Sequence, residues 1–568
     1  MFRETHGRDK TGRFSVYLPF TADTSELGSS FQMALKRFTN LERKLSVTPQ
    51  LKDDYVHFMN EYESLGHMSK IDDPVSDAPY YYLPHHAVIK ETSQTTKIRV
   101  VFDASAKTSK GNSLNDILAQ GPAIQSELFD IVLRFRHHKI VITADVEKMY
   151  RQVWVNQEDR DYQRILWRNS PEKEIDHYRL NTITYGTAPA AFLATRVLKE
   201  IGLLAAQDKP SASRAIQRDF YMDDFLSGGD TTEECVKLYH EVLELLESSG
   251  MRLRKWCSSA PEVRKNIAAT SSEPHYSLDL GDNDTIKSLG LIWCPESDTL
   301  QFKVKNANET RVQTKRDLLS SLNSVFDPLG FLGPTLIKGK IFLQELWQIK
   351  MGWDDTLSED FQTRWRRFLD DLATAHQILI PRAVKVCLSK EVELHGFSDA
   401  TQSAYGACIY YKQASEQGKW SVQLLCAKSR VAPLKSLTIP RLELSGAHLL
   451  AELISRVATN LEISNDKIFC WCDSTVTLAW IKGRSAQWKT FVSNRVAQII
   501  ELTGENRWRY VSTSVNPADQ LSRGINTAEL ATSELWWNGP SFLKEDKTLW
   551  PQVPHDLIRN EETPEKRP

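Results

Sequence analysis

Two adjacent acids, Asp223 and Asp224, lie between apolar flanks in the stretch Phe220-Tyr221-Met222-Asp223-Asp224-Phe225-Leu226. The flanks read as strands, and Ser227-Gly228-Gly229-Asp230 closes the segment with turn formers, so the acids fall at the tight turn of a β-hairpin. Like charges held together there are costly unless a hard cation such as Mg²⁺ neutralises them, and such an ion needs a further ligand from elsewhere. The tetrapeptide alone reads equally well as a solvated Asp-Asp turn. Asp145 shifts the balance. In Lys139-Ile140-Val141-Ile142-Thr143-Ala144-Asp145-Val146 a β-branched apolar run reads as a buried strand that delivers one carboxylate at its end. Asp145 beside Asp223 and Asp224 makes a two-metal site, one ion activating a primer hydroxyl and the other stabilising the departing pyrophosphate. The inferred chemistry is nucleotidyl transfer.

Other motifs stand around these acids: Tyr80-Tyr81-Tyr82-Leu83-Pro84-His85-His86, Lys97-Ile98-Arg99-Val100-Val101-Phe102-Asp103-Ala104-Ser105, Asp145 through Tyr150, Thr184-Tyr185-Gly186-Thr187, and Leu253-Arg254-Lys255-Trp256. In this order they resemble the reverse transcriptases of long-terminal-repeat retroelements, most closely the BEL/Pao group, over nearly the whole chain. The resemblance implies an α+β multidomain protein, a right-hand polymerase with fingers, palm and thumb/connection followed by an RNase H-like α/β domain. It implies palm metal ligands at Asp145, Asp223 and Asp224, a triphosphate-gripping cation at Arg99, and an aromatic steric gate at Tyr150. It also places Lys97, Gly186, Met222, Lys255 and Trp256 against substrate, template or primer.

Each role has a physical basis and a plainer alternative. A guanidinium forks onto phosphate oxygens, and Lys97, two residues away, shares the strand face of Arg99; the alternative is an edge-strand charge. Tyr150 fits either a core aromatic or a ring beneath the sugar that clashes with a ribose 2′-hydroxyl. Gly186 lets backbone approach a nucleotide, although Thr187-Ala188-Pro189-Ala190-Ala191-Phe192 departs from the family's usual proline placement. Trp256 fits either a primer contact or the core.

A second set of acids follows. Glu393-Leu394-His395-Gly396-Phe397-Ser398-Asp399 reads as a strand ending in a carboxylate; residues 404–411 and 420–428 read as two more strands across a polar turn over 412–419. Pro440 suits a first helical turn, which puts Glu443 near a helix start, with Leu449, Leu450, Leu453, Ile454 and Val457 at helical spacing. Ile468 through Thr475 gives another strand with Asp473 at its end, and Asn516-Pro517-Ala518-Asp519 opens the last element. One acid each from strand, helix, strand and late helix resembles an RNase H domain. The resemblance makes Asp399, Glu443, Asp473 and Asp519 ligands of two Mg²⁺ ions, Mn²⁺ being an alternative, that activate water against an RNA phosphodiester.

With 568 residues and 41% apolar content, several folded domains are expected. The boundaries read as 1–78 (a lead-in to the fingers), 79–260 (fingers and palm), 261–385 (thumb/connection, after a polar break over 261–274), 386–530 (RNase H-like) and 531–568 (a charged, partly disordered tail or linker). Eight scattered cysteines without CxxC spacing point to free thiols in a reducing, intracellular compartment, and no signal peptide or membrane span is read. A net charge of −2 is low for a nucleic-acid binder; the cation-aromatic clusters 134–139 and 252–256, together with neutralisation of the seven acids by metal, account for part of this, the alternative being that the clusters are solvated faces.

Expected partners are RNA template, DNA primer, RNA/DNA hybrid and dNTPs, with other retroelement Pol or Gag products, in a cytoplasmic virus-like particle, the nucleus or both; no membrane partner is expected. Neither an aspartic-protease context upstream nor an integrase zinc region downstream is found, so the chain reads as a fragment of a Pol polyprotein or an isolated module. The other class that fits is a host-retained, catalytically idle nucleic-acid-binding protein. Seven intact acids favour the enzyme.

Overall fold

The computed structural model describes residues 5–74, 79–89, 98–270, 286–288, 291–304, 312–385, 387, 391–415, 418–552 and 564–567. The chain divides into two compact units. The first comprises Met1–Ser126, Thr143–Phe225 and Lys237–Trp256, and the second Glu127–Ile142, Leu226–Val236 and Cys257–Pro568.

In the first unit the helix Phe31–Ser46 buries Ala34, Phe38, Leu41 and Leu45 along one stripe, as the helical spacing dictates. The helix Pro49–Ser64 follows with proline in its first turn and turns Leu51, Tyr55, Phe58, Met59 and Tyr62 inward. His85–Ile89 and Ile98–Phe102 form a two-stranded hairpin in which Val88 faces Arg99. Lys97 lies outside the described residues. A four-stranded sheet, three of whose strands cross the division between the units along the chain, carries the first three acids, in the order Phe220–Tyr221, Asp224–Gly229, Ile140–Val146 and Leu253–Ser258. Strand Asp224–Gly229 runs past the turn expected at Ser227-Gly228-Gly229, because the Gly228 backbone lies against the Ile140 carbonyl, where a Cβ would come within 2.2 Å.

The second unit is built on a five-stranded sheet in the order Trp420–Val431, Ala404–Ala414, Val392–Ala400, Ile468–Cys472 and Trp508–Tyr510. The first three strands are antiparallel, and Ile468–Cys472 runs parallel to both of its neighbours. The long helix Ile439–Leu461 packs on this sheet through an apolar face including Leu442, Leu449, Leu450, Leu453, Ile454 and Val457.

Three expectations are corrected here. The break after residue 260 is a helix, Pro261–Thr270, because Val263 and Ile267, four apart, find a core. The polar turn begins later than expected: Lys412 stays in its strand, buried, with its ammonium 3.0 Å from Glu393. The tail is packed over its described part, since Trp536, Leu543 and Trp550 are buried and the Trp536 indole donates to the Phe331 carbonyl at 3.0 Å. All eight cysteines are buried free thiols, and among the described residues no helix is long and apolar enough to cross a membrane.

Two candidate carboxylate centres

The hairpin places the first centre as expected. Phe220 pairs with Phe225 and Tyr221 with Asp224, which leaves Met222 and Asp223 at the turn. Met222 adopts a left-handed φ of +53°, an uncommon conformation for a non-glycine residue, and its N–H donates to Gln125 Oε1 at 2.9 Å. Val146 N–H donates to the Asp223 carbonyl at 2.8 Å, which ties the Asp145 strand to the hairpin. Burial, with Asp223 and Asp145 adding to it, pushes the Asp224 carboxyl up to about 7; burial also raises Asp145. Lys255, itself at φ +53°, sets its ammonium 3.4 Å from Asp145 Oδ2 and opposes both shifts.

Around this trio stand the expected substrate groups. The Tyr150 ring meets the Tyr185 ring edge-on at 4.6 Å between centroids, and the Arg99 guanidinium lies 5.7 Å from the Tyr185 centroid. Burial first, then Tyr185 and Asp223, pushes the Tyr150 phenol up to about 12. Arg99 is exposed. Gly186 is exposed, and its own fold also requires it. A Cβ there would sit 1.9 Å from the Phe102 carbonyl at a φ of +100°. Trp256 takes the plainer alternative, packing edge-on against Tyr239 at 4.8 Å and Phe225 at 6.0 Å, opposite in strand alternation to Lys255.

The second centre gathers the later acids. Asp399 lies in the strand Val392–Ala400, Glu443 in the first turns of Ile439–Leu461, Asp473 directly after Ile468–Cys472, and Asp519 at the start of the short helix Asp519–Arg523. Gly446, one turn beyond Glu443, lets the helix press on the Asp399 backbone; a Cβ there would sit 3.1 Å from the Asp399 carbonyl. Ser522 donates to Asp399 Oδ2, Thr513 to Asp473 Oδ2 at 2.7 Å, and Arg523 to Asp519 Oδ1 at 2.5 Å.

Burial, reinforced by Asp473 and Asp519 against the Ser522 bond, lifts Asp399 to about 7. Burial with Asp399 and Asp473 lifts Glu443 to about 9, and burial raises Asp473. Glu443 Oε2 and Asp473 Oδ1 are buried without a hydrogen-bond partner among the described residues. Unpaired buried oxygens among mutually repelling carboxylates fit divalent cations.

Gln125, Thr513 and Gly446 are contributors that sequence reading missed. Only Gly446 left a signal, a glycine inside a strongly helical pattern.

The cluster 134–139 is largely interior: Arg134, Phe135 and Arg136 are buried, and Lys139 is exposed. Arg136 is 1% exposed, and its guanidinium donates to the carbonyls of Leu424 (2.7 Å), Leu425 (2.8 Å), Arg382 (3.1 Å) and Pro381 (3.2 Å). Arg382, fully buried, holds the Phe135, His138 and Lys139 carbonyls at the end of the helix Leu128–His137, together with the Asp298 carboxylate. These arginines satisfy backbone acceptors inside the second unit.

Comparison with known proteins agrees with this geometry. Residues 88–264 match the family model for reverse transcriptase (RNA-dependent DNA polymerase), and residues 314–474 that for the Pao retrotransposon-like RNaseH-like domain. The second match begins within the helices read as thumb/connection. The foamy viral protease-reverse transcriptase in complex with RNA/DNA hybrid is similar at a TM-score of 0.52 and 13% identity, over 82% of this chain and 53% of that one. The same viral protein in complex with dsDNA gives 0.51 and 14% over 81% and 82%, and a dRH form with ds DNA 0.50 and 13% over 79% and 67%. At such identities the likeness is one of fold. No curated protein sequence matches the chain. The chain carries a reverse transcriptase domain and an RNase H-like domain of the Pao retrotransposon type, families that depend on divalent metal.

Proposed function

We propose that this chain, with its reverse transcriptase and Pao-type RNase H-like domains, is an RNA-directed DNA polymerase coupled to ribonuclease H, copying retroelement RNA into DNA and degrading the RNA of the resulting hybrid. The observation that carries the reading is the pairing of two separate carboxylate centres whose members repel one another in the metal-free fold. Mg²⁺ is the ion we assign to both centres, with Mn²⁺ as a substitute. Bound there, it would supply charge neutralisation and activation of a hydroxyl or a water.

The chain's own residues do the rest. Asp145, Asp223 and Asp224 fix the position of the primer terminus and the incoming nucleotide. Arg99, with Lys97 beside it in sequence, grips the triphosphate; Tyr150, braced by Tyr185, stands under the sugar and excludes a 2′-hydroxyl. Met222, held by Gln125, and Lys255 border the primer end. Asp399, Glu443, Asp473 and Asp519 position the scissile RNA phosphate, with Ser522 and Thr513 orienting two of them. Gly186, exposed beside Tyr185, lets backbone approach the nucleotide, and the half-buried Trp256 backs the strand that carries Lys255.

We assign residues 79–260 to fingers and palm, after a lead-in over 1–78, residues 261–385 to thumb and connection, 386–530 to the RNase H-like domain and 531–568 to a C-terminal extension. RNA template, DNA primer and dNTPs are the substrates, other retroelement Pol or Gag products are the partners, and we place the activity in a cytoplasmic particle or the nucleus.

Primer extension on an RNA template with dNTPs and Mg²⁺ tests the reading. Extension by the parent, none by Asp223→Asn, and a gain of ribonucleotide incorporation in Tyr150→Ala are expected. A parent protein that extends no primer would overturn it.

A further inference from the structure

Cys472 ends the strand Ile468–Cys472 and is fully buried. Its Sγ, one carboxylate oxygen of Glu443 and one of Asp473 all lie within 4.8 Å of one another. Glu443 is 8% exposed, and its Oε2 has no hydrogen-bond partner among the described residues. Asp473 Oδ1 is likewise unpartnered, while its Oδ2 is held by Thr513 at 2.7 Å. The sulfur receives the long N–H contact of Ser474, at 3.4 Å, and the Ser398 side chain also acts on it. A thiol and one oxygen each of Glu443 and Asp473, two acids that both carry a buried oxygen without a hydrogen-bond partner among the described residues, therefore lie together where the expected ligand set is all carboxylate.

We propose that Glu443, Cys472 and Asp473 form a mixed sulfur and oxygen site that takes a borderline or soft divalent ion, such as Zn²⁺, Co²⁺ or Cd²⁺, and so blocks the hard-ion centre that shares Glu443 and Asp473. Thiolate selects such ions over Mg²⁺, which keeps to oxygen ligands. A tetrahedral Zn²⁺, at about 2.3 Å from sulfur and about 2.1 Å from oxygen, needs ligand atoms roughly 3.5 Å apart, so the set closes by small side-chain rotations. Forming the metal–sulfur bond releases the thiol proton to solvent, with no change of oxidation state. The site rests on the reading of Asp399, Glu443, Asp473 and Asp519 as one cation centre. It adds to that centre a means of inhibition by transition metals.

The test titrates the full chain with Co²⁺ and follows the thiolate-to-cobalt absorption band in the near ultraviolet, beside Mg²⁺-supported cleavage of a labelled RNA/DNA hybrid by the same preparation. The parent should show the band, Cys472→Ser should lose it, and Glu443→Gln should weaken Co²⁺ binding by more than about tenfold, the loss that removing even an outer-sphere partner brings. Cys472→Ala, with Co²⁺-induced stabilisation against heat as a second readout, keeps the test open should the serine variant not fold. A cleaving parent without a band overturns the mixed site and leaves the RNase H reading intact. A band that depends on Cys472 in a parent that cuts no hybrid supports the site and sinks that reading. A band that persists in both Cys472 variants assigns the ion to another cysteine and overturns the proposal.

Discussion

Replacing Arg136 by Met separates a structural cation from a nucleic-acid contact. The parent guanidinium is buried, pushed down to about 9 by that burial and still charged at neutral pH, and donates to four backbone carbonyls drawn from residues 381–382 and 424–425. Methionine fills similar length but offers no donor. Breaking a buried hydrogen-bond network costs more than the roughly 0.5–3 kcal/mol of an ordinary point substitution. Four orphaned carbonyls at roughly 1 kcal/mol each give a similar figure. For a cooperative unit of this size the melting temperature should fall on the order of 10 °C.

Tryptophan fluorescence against urea and heat measures that change, because Trp420, Trp471 and Trp536 lie in the same unit. Hybrid binding at several salt concentrations supplies the second readout. A lost phosphate contact lowers the salt slope by about 0.9, whereas a lost internal staple leaves it unchanged. A stability loss below about 1 kcal/mol, or a slope reduced by nearly one, would refute the assignment of Arg136 to the core.

Three further outcomes follow from the carboxylate centres. Asp224, Asp399 and Glu443 titrate higher in the fold than in the unfolded chain. Below about pH 6.5 the buried His67, His85, His137 and His395, whose pKa values burial lowers, oppose this trend. Above it the folded, metal-free protein holds extra protons, and its stability in EDTA should fall as pH rises from about 7 to about 9 and be regained with Mg²⁺; a flat profile over that window in a pH series of melts would contradict this. Glu443→Gln should raise the melting temperature of the metal-free chain at pH 8 while abolishing hybrid cleavage, since it removes a buried, repelled carboxylate; an unchanged or lower melting temperature counts against the electrostatic account. Gly446→Ala should cut hybrid cleavage by about tenfold or more while leaving primer extension intact, because the helix that carries Glu443 must back away from the Asp399 carbonyl, 3.1 Å from the added methyl; unaffected cleavage would show that the close approach is dispensable.

The two acid sets were legible because each acid ends, or lies beside, a strongly apolar run of clear period. Ile140–Val146, Val392–Ala400 and Ile468–Cys472 announce themselves as strands, and a carboxylate at such an end has few ordinary uses. What stayed hidden depends on contacts remote in sequence. Nothing near Arg136 says that its acceptors lie 288 and 289 residues on, and a run of cations and aromatics reads the same whether it meets phosphate or a cage of carbonyls. Gln125 and Thr513 sit in segments with no pattern of their own and gain their roles only where the fold sets them beside Met222 and Asp473. The C-terminal segment misled for a related reason: its charges dominate its composition, yet Trp536, Leu543 and Trp550 decide where it goes.

The central claim, two separate active centres on one chain, is tested most directly by a single reaction with a labelled DNA primer on a differently labelled RNA template. The parent should lengthen the DNA and shorten the RNA. Asp473→Asn should lengthen the DNA over intact RNA, and Asp223→Asn should leave the primer untouched while still cutting a preformed hybrid. Loss of both activities in each well-folded variant, or neither activity in the parent, would contradict the account.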